Sequence, residues 1–174
     1  SRRRHTRCQI QSRGLGDVYK RQHQGRVVDS PGDNILAEFA SALDAVNCAV
    51  KIQEDLKERN AALSENRKMQ FRIGINIGDV VQDADRIYGD GVNVAARIEG
   101  LAEPGGICIS RGVCDHVRKK LELGFEYLGE HSVKNIAQPV RVYKVLMAPE
   151  YAGEMIGEKP GREKKKWLLG HVRR

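Results

Sequence analysis

Asn93 and Arg97 stand four residues apart just after Tyr88-Gly89-Asp90-Gly91, a spacing that puts an amide and a guanidinium on one face of a helix near its N-terminus. Free backbone N–H groups at a helix start, a glycine-rich turn and a cation one turn in suit a phosphate. The same residues suit a capped amphipathic helix with an exposed arginine. Spacing alone favours that plainer reading, because a lone G-x-G before a helix is weak evidence. Asp33, in the turn Pro31-Gly32-Asp33-Asn34, and Lys134, in Val133-Lys134-Asn135-Ile136, also carry chemistry. Taken singly they are a turn former and an exposed strand lysine.

The elements that must position these residues centre on residues 71–101, which alternate as strand, tight turn, strand, glycine-rich turn and helix. Phe71, Ile73, Ile75 and Ile77 alternate with Arg72, Gly74 and Asn76, the period of a half-buried strand. Gly78-Asp79 turns the chain into a short run from Val80, and Val94, Ile98 and Leu101 line one face of the helix. Upstream, residues 25–30 and 35–40 flank the Pro-Gly turn as a β-hairpin. Ser41 then caps a helix, with Asp44 as a weaker capping-box partner. Its apolar face is Ala42, Ala45, Val46, Ala49, Ile52 and Leu56,. Downstream come a buried strand from Ile107, a short helix over 112–121 ending in Arg118-Lys119-Lys120, and strands over 125–132 and 140–146. The expected order is β-β-α-β-β-α-β-α-β-β, an α+β sheet with helices packed largely on one face.

Composition narrows the function classes. The chain has 174 residues and a formal charge of +7, yet the basicity belongs to its ends. Residues 1–22 hold seven Arg/Lys against one Asp, and 157–174 hold seven against two Glu, so the middle is net negative. A nucleic-acid face would need its basic patch within that middle, which excludes nucleic acid as the expected partner. Cys8, Cys48, Cys108 and Cys114 form no C-x-x-C pair, and no signal peptide or complete membrane span is present. Reduced thiols and a cytoplasmic domain follow. Residues 1–22 show no helical or strand period, and SRRRHTRC and LGDVYKRQ look like translated adaptor sequence, so this segment is read as non-native or disordered. Residues 148–174 read as a basic linker. Its Lys164-Lys165-Lys166-Trp167-Leu168-Leu169 is of a juxtamembrane kind, leaving a parent protein with a membrane helix further on as an option.

From about Gly25 to Val145 the ordered motifs resemble the catalytic domain of class III nucleotidyl cyclases, the adenylate/guanylate cyclase family. They are Gly32-Asp33 followed by Leu36-Ala37-Glu38-Phe39, Arg72-Ile-Gly-Ile-Asn-Ile-Gly78, Tyr88-Gly-Asp-Gly-Val-Asn-Val-Ala-Ala-Arg-Ile-Glu99, Val133-Lys-Asn-Ile136 and Pro139-Val-Arg-Val-Tyr143. The resemblance implies a ferredoxin-like sandwich over residues 23–147, working as a head-to-tail homodimer with active sites shared between subunits. It implies attack of a nucleoside triphosphate's ribose 3′ hydroxyl on its own α-phosphate, with Mg²⁺ or Mn²⁺ held by two aspartates. Asp33 matches the second aspartate. Asn93 matches the ribose-orienting asparagine, Arg97 the arginine that stabilises charge on the α-phosphate, and Lys134 the lysine holding the outer phosphates.

The departures are as specific. The family's first metal aspartate lies in a Phe-x-Asp segment about forty to fifty residues before the second, which falls ahead of Ser1; Asp17 is too close and lies in the suspect segment. One metal ligand and the first βα unit are therefore expected to be incomplete. At the base-recognition positions, Asp29 stands where the family usually has Lys, and Arg86, beside Asp85, where it has an acid or Thr. Two functions follow: a bacterial-type cyclase domain making cyclic AMP from ATP, with GTP an option, inactive as these 174 residues; or a non-catalytic dimerisation and nucleotide-binding module with the same fold.

Overall fold

The computed structural model describes residues 4–11, 25–29, 34–79, 81–83, 86–133 and 136–158, with the backbone alone at 4–11, 29, 81–83 and 86–88. The two strands of the expected hairpin pair, while the Pro-Gly turn between them lies outside the described residues. Strand β2 (Gly25–Asp29) and strand β3 (Asn34–Phe39) run antiparallel, Gly25 opposite Phe39, with a bulge between Val27 and Asp29. Ser41 accepts a hydrogen bond from Leu43 N at 3.1 Å and starts helix α1 (Ala42–Asn60). All six apolar-face residues expected there are buried. Each large one contributes on the order of 1.5–3 kcal/mol over an exposed position. Gln53 is buried on the same helix, and its Nε2 donates to Phe71 O at 3.0 Å and Gly106 O at 3.1 Å. One side chain thereby ties α1 to the starts of two strands.

Those strands are β4 (Ile73–Asp79) and β7 (Ile107–Ser110), which pair in parallel. Between them in sequence come the small hairpin β5 (Val81–Asp83) with β6 (Arg86–Tyr88), and helix α2 (Asp90–Glu99). Helix α3 (Arg111–Val117), strands β8 (Gly124–His131) and β9 (Val140–Leu146) follow, and a last short strand, β10 (Met155–Ile156). Helix α3 ends at Val117, so Arg118-Lys119-Lys120 form the turn after it. The main sheet has eight strands in the order β10-β8-β9-β7-β4-β1-β3-β2.

The structure differs from the expectations at three places. Strand β1 (Arg4–Gln11) lies within the segment read as non-native or disordered, and pairs antiparallel with both β3 and β4. Two facing strand edges leave rows of unpaired N–H and C=O groups, and backbone pairing satisfies them with little regard to side chains. The segment also carries an overlooked alternation of Thr6, Cys8 and Ile10 against Arg7, Gln9 and Gln11. The strand place of the first βα unit is thus filled; the residues between Gln11 and Gly25 lie outside those described.

The helices, secondly, occupy both faces. Helices α1 and α3 pack with Ile35, Ala37, Phe39, Ile73, Ile75, Ile107, Ile109 and Tyr143. Helix α2 packs on the other face through Val94 and Ile98 against Cys108, Val133 and Val142. Strand β4 is accordingly covered on both sides rather than half-buried.

The linker expected from Ala148, thirdly, is packed as far as Glu158. A 3₁₀ turn (Pro149–Tyr151) leads into β10, which pairs in parallel with β8. Glu158 then accepts from Tyr143 Oη at 2.9 Å and pairs with Arg111. Arg111 also donates to Tyr143 Oη at 2.8 Å and to Asp115. Burial holds the Tyr143 phenol above its ordinary pKa, with Arg111 opposing the rise,.

Candidate functional site

Helix α2 begins at a turn that only glycine tolerates. Gly89, its N-cap, has φ of 140° and provides no side-chain cap,. The first-turn N–H groups are therefore left without a capping side chain, the feature that suits an anion. Val94 and Ile98 bury one side of the helix, and Asn93 and Arg97 are exposed on the other. Among the described residues neither is drawn into an ion pair.

The helix sits very close to β4. A Cβ placed on Gly74 would lie 2.3 Å from Glu99 N and 2.5 Å from Ala95 O; one on Gly78 would lie 2.9 Å from Gly91 Cα. Helix backbone rests on strand backbone at both ends, so the Asn-Arg pair stands on a platform with little freedom to shift.

Lys134 and Asp33 lie outside the described residues. The flanks of Lys134 are in place: Val133 is buried and Ile136 packs beside it, in the cluster that holds Val94 and Ile98. Ile136 N also donates to Val133 O at 3.0 Å. Val133 and Ile136 are thus both anchored on the α2 side of the sheet.

Asp29 ends β2, with its backbone opposite Leu36, and Arg86 opens β6 opposite Asp83. Strands β2 and β6 lie against each other, so the two positions that the resemblance assigns to the base fall on neighbouring elements of one chain.

Among the described residues no three His, Cys, Asp or Glu side chains cluster as a metal site would need. Strand β1 runs beside the Asn34 end of β3, with Gln11 opposite Asn34, and Arg4–Gln11 has no Asp or Glu. By the resemblance, this is the strand that would bring the first aspartate to Asp33. The described part of this strand therefore supplies no carboxylate.

Asn76 escaped the sequence reading. It was grouped with the polar side of β4, but it is buried, and its Nδ2 donates to Gly91 O at 3.2 Å. The Gly74-x-Asn76-x-Gly78 spacing was the available signal: two glycines and an amide on one strand face leave room for a backbone to come down on them.

Known proteins converge on one family. The model of the adenylate and guanylate cyclase catalytic domain matches residues 15–147. Putative adenylate cyclase 3 of Rhizobium meliloti is 46% identical over 121 residues, which are 70% of this chain and 21% of that protein's length. The chain therefore spans about a fifth of that curated relative. An adenylate/guanylate cyclase/hydrolase crystal structure from Silicibacter pomeroyi aligns with TM-score 0.79 and 34% identity, covering 84% of this chain and 98% of that one. The adenylyl cyclase CyaB of P. aeruginosa shares the fold, with TM-score 0.68 and 20% identity over 87% of this chain and 97% of its own. The platform that holds Asn93 and Arg97 thus belongs to a recognised catalytic fold, and this chain is a member of the adenylate and guanylate cyclase catalytic domain family.

Proposed function

We propose that this domain converts ATP to cyclic AMP and pyrophosphate as a head-to-tail homodimer with shared active sites. The bond formed is ribose O3′ to Pα, the bond broken is Pα to the bridging oxygen of pyrophosphate, and the 3′ hydroxyl loses its proton. Arg97 offsets the charge that builds on the α-phosphate oxygens. Asn93 hydrogen-bonds the ribose, Lys134 meets the outer phosphates, and Asp29 with Arg86 faces the base. Asp33 is this chain's contribution to the Mg²⁺ or Mn²⁺ site. The observation that carries the reading is the exposure of Asn93 and Arg97 on a helix whose other side is fixed to β4. No helix among the described residues is long and apolar enough to cross a membrane. The domain is proposed to work in the cytoplasm, with any membrane anchor lying elsewhere in a parent protein.

A carboxylate-free β1 and the Asp29/Arg86 pair favour a second reading, a dimerising nucleotide-binding module without turnover. One experiment separates the two. The first strand and helix of the Rhizobium relative are grafted ahead of residue 23, and cyclic nucleotide is assayed with ATP and GTP under Mg²⁺ and Mn²⁺. The expected outcome is cyclic AMP, abolished by Asp33→Ala and reduced at least about a hundredfold by Arg97→Ala. A graft silent with both nucleotides and both metals overturns the cyclase reading. The ungrafted chain is expected to bind nucleotide without turning it over.

A further inference from the structure

Between the two points where α2 rests on β4 lies a single side chain. Gly74, Asn76 and Gly78 occupy one face of the strand, and the helix passes over them from Glu99 above Gly74 to Gly91 above Gly78,. Asn76 is 7% exposed and donates to the Gly91 carbonyl at 3.2 Å. Gly91 is two residues before Asn93 and six before Arg97. Gly89 offers no side-chain cap, and Asn76 reaches the first turn of the helix from the strand below it.

The neighbour of Asn76 across the sheet does not share this task. The parallel register that sets Ile75 opposite Ile109 places Ser110 beside Asn76. Ser110 is 4% exposed, yet its Oγ has no partner. Both residues line an open cavity of about 550 Å³ whose other side is formed by Gln138 and Arg141. Water in that cavity can take the place that Asn76 leaves when it is shortened,. Loss of the amide therefore releases the helix start without forcing the domain to unfold.

We propose that Asn76 is a positioning residue for the Asn93–Arg97 pair: its hydrogen bond to Gly91 sets the orientation of the α2 N-terminus, and through it the reach of both side chains to the nucleotide. This rests on the nucleotide reading of Asn93 and Arg97. It adds to that reading a residue that touches no substrate.

The test is calorimetric titration of ATP and GTP into the full chain, for wild type, Asn76→Ala, Asn76→Asp, Arg97→Ala and the Asn76→Ala/Arg97→Ala double variant. Asn76→Asp keeps the shape but has no N–H to donate. Both Asn76 variants are expected to weaken ATP roughly tenfold. In the Arg97→Ala background Asn76→Ala is expected to cost clearly less than in the wild type, because only Asn93 is left for it to position. Hydrogen exchange in Asn76→Ala is expected to quicken at residues 91–95 while α1 stays as protected as before. Losses that multiply in the double variant, an Asn76→Asp that binds like wild type, or unchanged exchange at 91–95 would each overturn the proposal. A wild-type chain that binds neither ATP nor GTP sinks the nucleotide reading, and the positioning role with it, whatever the exchange data show.

Discussion

Single residues in this domain work mostly by satisfying backbone groups at a distance. Gln53 bridges two carbonyls from separate strands, Phe71 O and Gly106 O. Gln53→Ala leaves both buried acceptors without that partner and is expected to cost about 1–3 kcal/mol, read as a lower urea midpoint with unchanged slope. The thiols are another case. Burial pushes Cys108 and Cys114 each up to about 11, so the folded chain holds them protonated where the unfolded chain begins to ionise. Their stabilisation is complete below about pH 9 and is lost as pH rises towards 11,. Thermal melts at pH 7, 9 and 10.5 are expected to show a falling midpoint over the upper interval, steeper than in a Cys108→Ala/Cys114→Ala variant. The place of Asn93 and Arg97 on the exposed side of a helix was readable from the helix period. Asn76 was not, because alternation tells which residues share a strand face and not whether a helix covers the polar one.

At the scale of elements, helix α2 and strand β4 form the unit on which the proposed function rests. Gly74→Val would drive its side chain into Ala95 and Glu99. Overpacking of this kind typically costs about 1–3 kcal/mol, but the larger expected effect is on the nucleotide site. Binding of ATP should fall more than stability predicts, as measured by titration and urea unfolding of the same protein. Helix α1 offers the contrast. Ser41→Ala removes its cap and should cost about 1 kcal/mol without changing nucleotide affinity. That helix was legible almost residue by residue, since its cap, period and apolar face all lie within one stretch of sequence. Strand β1 was hard to see because its own alternation is short and set among charged residues, and its pairing comes from β3 and β4, far along the chain.

Across the whole molecule, the sheet is closed at the β8 side by the returning chain. The Glu158 carboxylate, held by Arg111 and Tyr143, ties the segment after β9 back to the start of α3. Arg111 is about a third exposed, so solvent screening limits this ion pair to about 1 kcal/mol. Glu158→Ala should therefore leave global unfolding nearly unchanged while making residues 149–158 more sensitive to limited proteolysis. Intact cleavage kinetics in that variant would argue that β10 alone holds the segment.

By itself the sequence determined the family, the hairpin, the capped helix α1 and the Asn-Arg pair, since each is encoded by local chemistry or by ordered motifs. Only the tertiary structure decided that helices cover both faces, that β1 enters the sheet, and that the chain stays packed as far as Glu158. It also decided that Asn76 lies beneath α2. These depend on which distant backbones meet, and hydrogen bonds between backbones leave almost no trace in the identity of the side chains beside them.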